Sequence, residues 1–224
     1  MTGFKYSEYK NCIRYGDFHV HTDYTDGKNT VIEYCQKARQ NNLKLIAFTE
    51  HVRKSITYDY DDFLSDISQA KSEFHDIKIL SGCEAKVLNI NGELDAPEEI
   101  LDQCDIVVGV FHSFRYKDKK NYLTALKAML RNPVVDIWGH PMLFAERHNM
   151  KLEEDDLNKI INVCIENDVL IERNLKYNLP DINFIKLALS KGAKIIIGSD
   201  AHSISELPTM QKLDEEWEWI NKMY

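Results

Sequence analysis

The chain has 224 residues, 44% of them hydrophobic and 29% charged, with a formal net charge of −8. This is the composition of an ordinary globular protein with room for a sizeable core, and its acidity argues against a broad basic surface for nucleic acid while allowing a local basic pocket. The five cysteines (Cys12, Cys35, Cys83, Cys104, Cys164) are scattered without a CxxC pair, which reads as free thiols in a reducing compartment. With no signal-type apolar core in MTGFKYSEYKNCIRYGD and no run of membrane-spanning length, the expectation is a cytoplasmic protein without a membrane partner.

The first apolar run, 16–21 (GDFHVH), carries His19 and His21 two positions apart, with Asp26 shortly after. Side chains at i and i+2 of a strand share a face, so the two imidazoles converge on one point. A core must satisfy a donor and an acceptor on each ring, whereas a divalent metal takes them directly. A helical stretch over 29–42 follows, capped by Asn29 or Thr30, and then a second run, 43–49, which ends in Glu50 and His51. Helical periodicity over 61–74 leads to the run 77–83 and Glu84. The run 106–111 ends in His112, helical residues 121–132 follow, and 134–139 ends in His140. A helix over 153–167, capped by Asp155, precedes the run 168–172 with Glu172 and Asn174. The last unit is a helix over 181–192, capped by Asp181 after Pro180 and stopped by Gly192, then the run 194–198 and Asp200 with His202.

Strand and helix alternate seven times without a hairpin, which predicts parallel strands joined by crossover helices. A doubly wound sheet and a closed barrel both fit; about 30 residues per unit favours a seven- or eight-fold α/β barrel. In either fold the C-terminal strand ends form the rim where sites are built. Six of the eight histidines fall there, and only His75 and His148 do not, so these two read as surface residues. Singly, each rim residue has an ordinary reading. A lone His112 or His140 is a half-buried histidine, Glu84 a strand-end carboxylate, Asp200 and His202 a helix cap, and Glu50 an orienting group for His51. As a set they point to a polynuclear metal site.

The motifs HxHTxYxDGK, TEH, GCExK, FHS, GHP and GSDAH, in this order and spacing, resemble the PHP (polymerase and histidinol phosphatase) superfamily from about residue 16 to 205. The resemblance implies one PHP domain over 1–224, a distorted seven-stranded (β/α)7 barrel with a two- or three-metal site at the strand C-termini. By position it gives His19, His21, Glu84 and Asp200 to a first metal. Glu84 bridges to a second held by His112 and His140, and His51, His202 and Asp26 hold a third. Asp26 departs from the pattern, since many members carry a histidine or another acid near this point. Glu84, Asp200 and His202 are the candidate catalytic residues. The implied chemistry is hydrolysis of a small phosphomonoester, histidinol-phosphate-like, by a hydroxide bridging two ions. The donors suit zinc, manganese or iron; Cys83, on the other face of its strand from Glu84, reads as core packing.

Four basic residues near the rim are candidate phosphate clamps: Arg115, favoured for its place just after His112, then Lys86, Arg53 and Arg173. Arg173 departs from the apolar residue that histidinol-phosphatase-like members carry between Glu and Asn. It faces away from Glu172 and Asn174 and is expected to form a structural salt bridge or to alter substrate choice. The partner expected is a small phosphorylated substrate rather than nucleic acid. The alternatives are a PHP-type nuclease or nucleotide phosphatase, and a metal-binding regulatory module without catalysis; eight of nine ligand positions hold the expected residue type, which argues against decay to the latter.

Overall fold

The structure, a computed structural model, describes residues 6–221. A short helix α1 (Tyr6–Tyr9) and a 3-10 turn (Ile13–Tyr15) lead into β1 (Gly16–Val20). The chain then alternates through α2 (Val31–Gln40), β2 (Leu45–Val52), α3 (Tyr60–Glu73), β3 (Lys78–Lys86), α4 (Glu98–Leu101), β4 (Ile106–Val110), α5 (Lys119–Leu130) and β5 (Ile137–Trp138). It continues through α6 (Leu143–Arg147), α7 (Glu154–Glu166), β6 (Leu170–Asn174), α8 (Ile182–Ser190), β7 (Ile195–Gly198) and α9 (Met210–Asn221). Among the described residues no helix is long and apolar enough to cross a membrane.

All seven strands are parallel and pair in chain order, β1 to β7. The ends then meet. Asp200 N donates to His19 O at 2.8 Å and His21 N to Ala201 O at 2.9 Å, beside a parallel bridge between Val20 and Ala201. The sheet is therefore a nearly closed seven-stranded barrel, not an open doubly wound sheet.

Strand alternation sorts the side chains into two cores. Phe18, Leu45, Leu80, Ile106, Ile137 and Ile196 fill the barrel interior above Ile13, while Ile46, Phe48, Cys83 and Trp138 face the helices. Each fully buried side chain of this size contributes about 1.5–3 kcal/mol. The inward row changes character on the way up. It runs Leu45, Ala47, Thr49, His51 on β2, then Ile106, Val108, Val110, His112 from β4, and Ile196, Gly198, Asp200 from β7. A polar site thus sits on an apolar plug, two residues beyond it on the same face. On β1 a register shift between Asp17 and Val20 lets Phe18 join the plug and His19 the site, the kind of bulge that re-aims a side chain at a barrel rim.

β2 and β3 run past the expected ends, so Glu50, His51 and Glu84 lie within strands, fixed by the register His51↔Glu84. β5 is shorter than the expected 134–139, because the chain turns at Gly139 and His140, whose φ is 26°. Thr30, rather than Asn29, caps α2 in a capping box with Glu33. The expectation that Asp155 caps α7 is corrected: the cap is Glu153, whose N–H donates to Asp156 Oδ2 at 3.0 Å, and Asp155 instead pairs with Lys159 in the first turns. Asp181 caps α8, accepting from Phe184 N at 2.9 Å. Helix α9, absent from the sequence reading, buries Leu213 and Ile220.

Candidate metal centre

The inward residues at the top of the strands converge. His19, His21 and Asp200 offer ligand atoms within 4.8 Å of one another; so do His51, Glu84 and His112, and so do His21, Asp26, His51 and His202. Glu84 stands between these groups. Its Oε1 is 3.0 Å from His112 Nε2, 3.0 Å from His140 Nε2 and 3.5 Å from His19 Nε2, and its Oε2 is 2.5 Å from His51 Nδ1. His51 turns its other nitrogen, Nε2, to Asp26 Oδ2 at 3.4 Å, and His202 Nε2 is 3.3 Å from Asp26 Oδ1. All nine expected ligands are therefore brought to one mouth, Asp26 included. His75 is exposed and His148 packs on Phe144, both outside it.

Divalent cations fit this donor set. His19 Nε2 and both nitrogens of His21 are buried without a hydrogen-bond partner among the described residues. Orphaned polar atoms of this kind are rare and costly unless something else takes their lone pairs. The donors are imidazoles and carboxylates only, since Cys83 faces the helices, and such a set suits zinc, manganese or iron. Burial opposes charge on Glu84, yet His112, His140 and His19 hold its carboxyl well below the usual range. Burial also opposes charge on His19, but Glu172 outweighs it and raises that imidazole well above its ordinary value. His21, buried among His19, His51 and His202, is pushed well below. The strand-end ligands Asp200 and His140 hold left-handed backbone, at φ 55° and 26°, where a residue with a side chain is strained.

Glu172 supports two of the candidate ligands, and the ligand motifs did not single it out. Fully buried on β6, it accepts from His19 Nδ1 at 2.7 Å and from the His140 backbone N–H. That fixes the tautomer which turns His19 Nε2 to the centre, the carboxylate–histidine arrangement common behind metal ligands. Gly198 makes room for it: a Cβ there would meet the Glu172 carboxylate and lie 2.8 Å from His19 Cβ. Glu50 faces away from the centre, and its carboxylate bonds the loop after β1 rather than orienting His51. It accepts from Thr22 N at 2.8 Å and Thr25 Oγ1 at 2.5 Å, tying down the loop that carries Asp26.

A cavity of about 290 Å³ opens over the centre, lined by Asp26, His51, Arg53, His112, Lys176, Tyr177, Asp200 and His202. Of the four basic residues expected there, only Arg53 arrives. Its Nη1 donates to Val52 O at 2.7 Å and Glu84 O at 3.1 Å. Arg115 is exposed with its guanidinium 5.8 Å from the Tyr116 ring, because Phe114 turns into the core and sends its neighbour outward. Lys86 pairs with Asp95 at 3.2 Å. Arg173 lies on the outer face of β6, bonded to Glu216 at 2.7 Å and to Pro180 O at 3.1 Å, with its guanidinium over Trp219; of its two expected roles, it fills the salt bridge. Lys176 and Tyr177, on the loop after β6, were missed because nothing in a lone Lys-Tyr pair marks it.

A family model for the PHP domain matches residues 17–176. The chain belongs to that family. It is 29% identical over 213 residues to a probable phosphatase of Clostridium acetobutylicum, across 88% of this chain and 84% of the relative. It is also 26% identical over 206 residues to the DNA polymerase/3'-5' exonuclease PolX of Bacillus subtilis, across 88% of this chain but 35% of that protein. The crystal structure of histidinol phosphate phosphatase from Lactococcus lactis, complexed with zinc, L-histidinol and phosphate, matches the fold with a TM-score of 0.73 at 19% identity, over 93% of each chain. Family, relatives and donor set together make this chain a hydrolase of the phosphatase kind.

Proposed function

We propose that this chain hydrolyses a small phosphate monoester, histidinol-phosphate-like in size, at a centre of two or three divalent ions. The observation that carries the reading is the convergence of nine ligand-type side chains on one barrel mouth, with three buried imidazole nitrogens, on His19 and His21, making no hydrogen bond. In this reading His19, His21, Glu84 and Asp200 hold a first ion, Glu84, His112 and His140 a second, and Asp26, His51 and His202 a third. Bound ions there supply charge neutralisation and an activated water. Glu84 stays ionised between its four imidazoles and keeps the cluster's charge balanced. Asp200, on the cavity wall, is positioned to take the proton of the attacking water, and His202, with Nδ1 2.9 Å from the Asp200 backbone oxygen, braces the turn that carries it. Arg53, anchored through Nη1, presents its remaining donors to a phosphoryl oxygen.

A cavity of about 290 Å³ suits a small ester better than a polynucleotide strand. The similarity to PolX nevertheless makes a nuclease the second reading. A panel of phosphomonoesters, phosphodiesters and short oligonucleotides, assayed with added manganese or zinc, separates them. Release of inorganic phosphate from monoesters is expected; turnover confined to diesters or oligonucleotides contradicts the reading.

A further inference from the structure

Two cations line the cavity, Arg53 and Lys176, and of these Lys176 has no role in the reading above. We propose that Lys176 grips the phosphoryl group together with Arg53 and makes the site selective for a monoester dianion over a diester. The inference rests on the phosphatase reading above and adds its specificity residue.

Lys176 Nζ lies 3.2 Å from Asp200 Oδ1 and 3.2 Å from His202 Nδ1, and its side chain is 39% exposed on the wall of the same cavity as Arg53. The placement is fixed by the backbone. Asn174 N donates to Leu179 O at 2.7 Å and Leu179 N to Asn174 O at 3.2 Å, closing a tight loop with Lys176 inside it. The Asn174 side chain takes Tyr177 N at 3.1 Å, and Leu175 N donates to Gly198 O at 2.9 Å, which ties the loop to β7. From the far side of β6, Arg173 bonds Pro180 O and the Asn178 side chain and braces the same loop. An ammonium competes poorly with a divalent ion for the Asp200 carboxylate, so metal loading frees Nζ for an incoming anion. A monoester near neutral pH carries close to two negative charges and a diester one, so a second cation beside Arg53 favours the monoester.

Inorganic phosphate titrated calorimetrically into the metal-loaded full chain tests this. Lys176→Met should bind phosphate roughly ten- to a hundred-fold more weakly, the range of a charge-assisted contact, with bound metal unchanged by elemental analysis and Lys176→Arg restoring most of the affinity. Its kcat/KM should fall by a similar factor for p-nitrophenyl phosphate and by less than about threefold for the bis(p-nitrophenyl) diester. Unchanged phosphate affinity in Lys176→Met, in a protein whose wild type hydrolyses the monoester, overturns the role of Lys176 alone. Loss of metal along with phosphate makes Lys176 a support of the ligands and also overturns it. A metal-loaded wild type that neither binds phosphate nor cleaves the monoester overturns both readings.

Discussion

At the scale of single residues, chain proximity to a candidate ligand does not decide which basic side chains reach the cavity: Arg53, two positions after His51, lines it, and Arg115 does not. Arg115 is three positions from His112, but the intervening Phe114 is buried and turns Arg115 to solvent. Lys176 is distant in sequence from every residue it meets at the centre, and only the barrel brings it there. Arg115→Ala should accordingly leave kcat/KM for a phosphomonoester within about twofold, as for a solvated surface charge; a tenfold loss, measured by steady-state kinetics, would put Arg115 back at the substrate. The candidate ligands other than Asp26 were legible because they fall at the ends of apolar runs, where the inward face of a strand emerges from the plug. Glu172 was legible only as a rim carboxylate. Its role depends on two hydrogen bonds, to His19 and His140, that no spacing in the sequence encodes.

At the scale of elements, alternation was readable and its limits were not. The seven strands follow the seven apolar runs, but β2 and β3 carry their ligands inside the ladder because neighbouring strands still pair at that height. Helix α9 escaped notice since its apolar positions are interleaved with charge, and its value is local: it supplies Glu216 and Trp219 to Arg173. Arg173 and Glu216 are both buried. Removing one partner of such a pair costs about 3–5 kcal/mol, and here Lys212, 3.7 Å from Glu216 Oε2, keeps the loss toward the lower end. Arg173→Met should lower the unfolding free energy by that amount in denaturant titrations. It should also weaken phosphate binding, since the loop that carries Lys176 loses its brace. A stability loss under about 1 kcal/mol would show that the pair contributes no more than a solvent-exposed one.

For the whole molecule, the centre sits on the seam where the barrel closes. His19 and His21 come from the first strand and its end, Asp200 from the end of the last, and their backbones bond across the join. Asp17 reinforces that join below the ligands, accepting from Ser199 N at 2.9 Å, and burial pushes its carboxyl up to about 6. The barrel itself could be anticipated from the count and parallel connection of the strands; the seam could not, because it depends on backbone bonds between residues far apart in the chain, Asp200 N to His19 O and His21 N to Ala201 O. Ions held by ligands from both sides would join the two edges, and Glu84 is the group that links the ligand sets. Elemental analysis of the purified chain, loaded with manganese or zinc and freed of excess, tests the polynuclear centre most directly. The account predicts more than one transition-metal equivalent per wild-type chain, and fewer in Glu84→Gln, which keeps its fold and loses activity by orders of magnitude because the charge between the ions is gone. A wild-type chain that retains no metal, or a Glu84→Gln chain that retains the full complement and turns over normally, would contradict it.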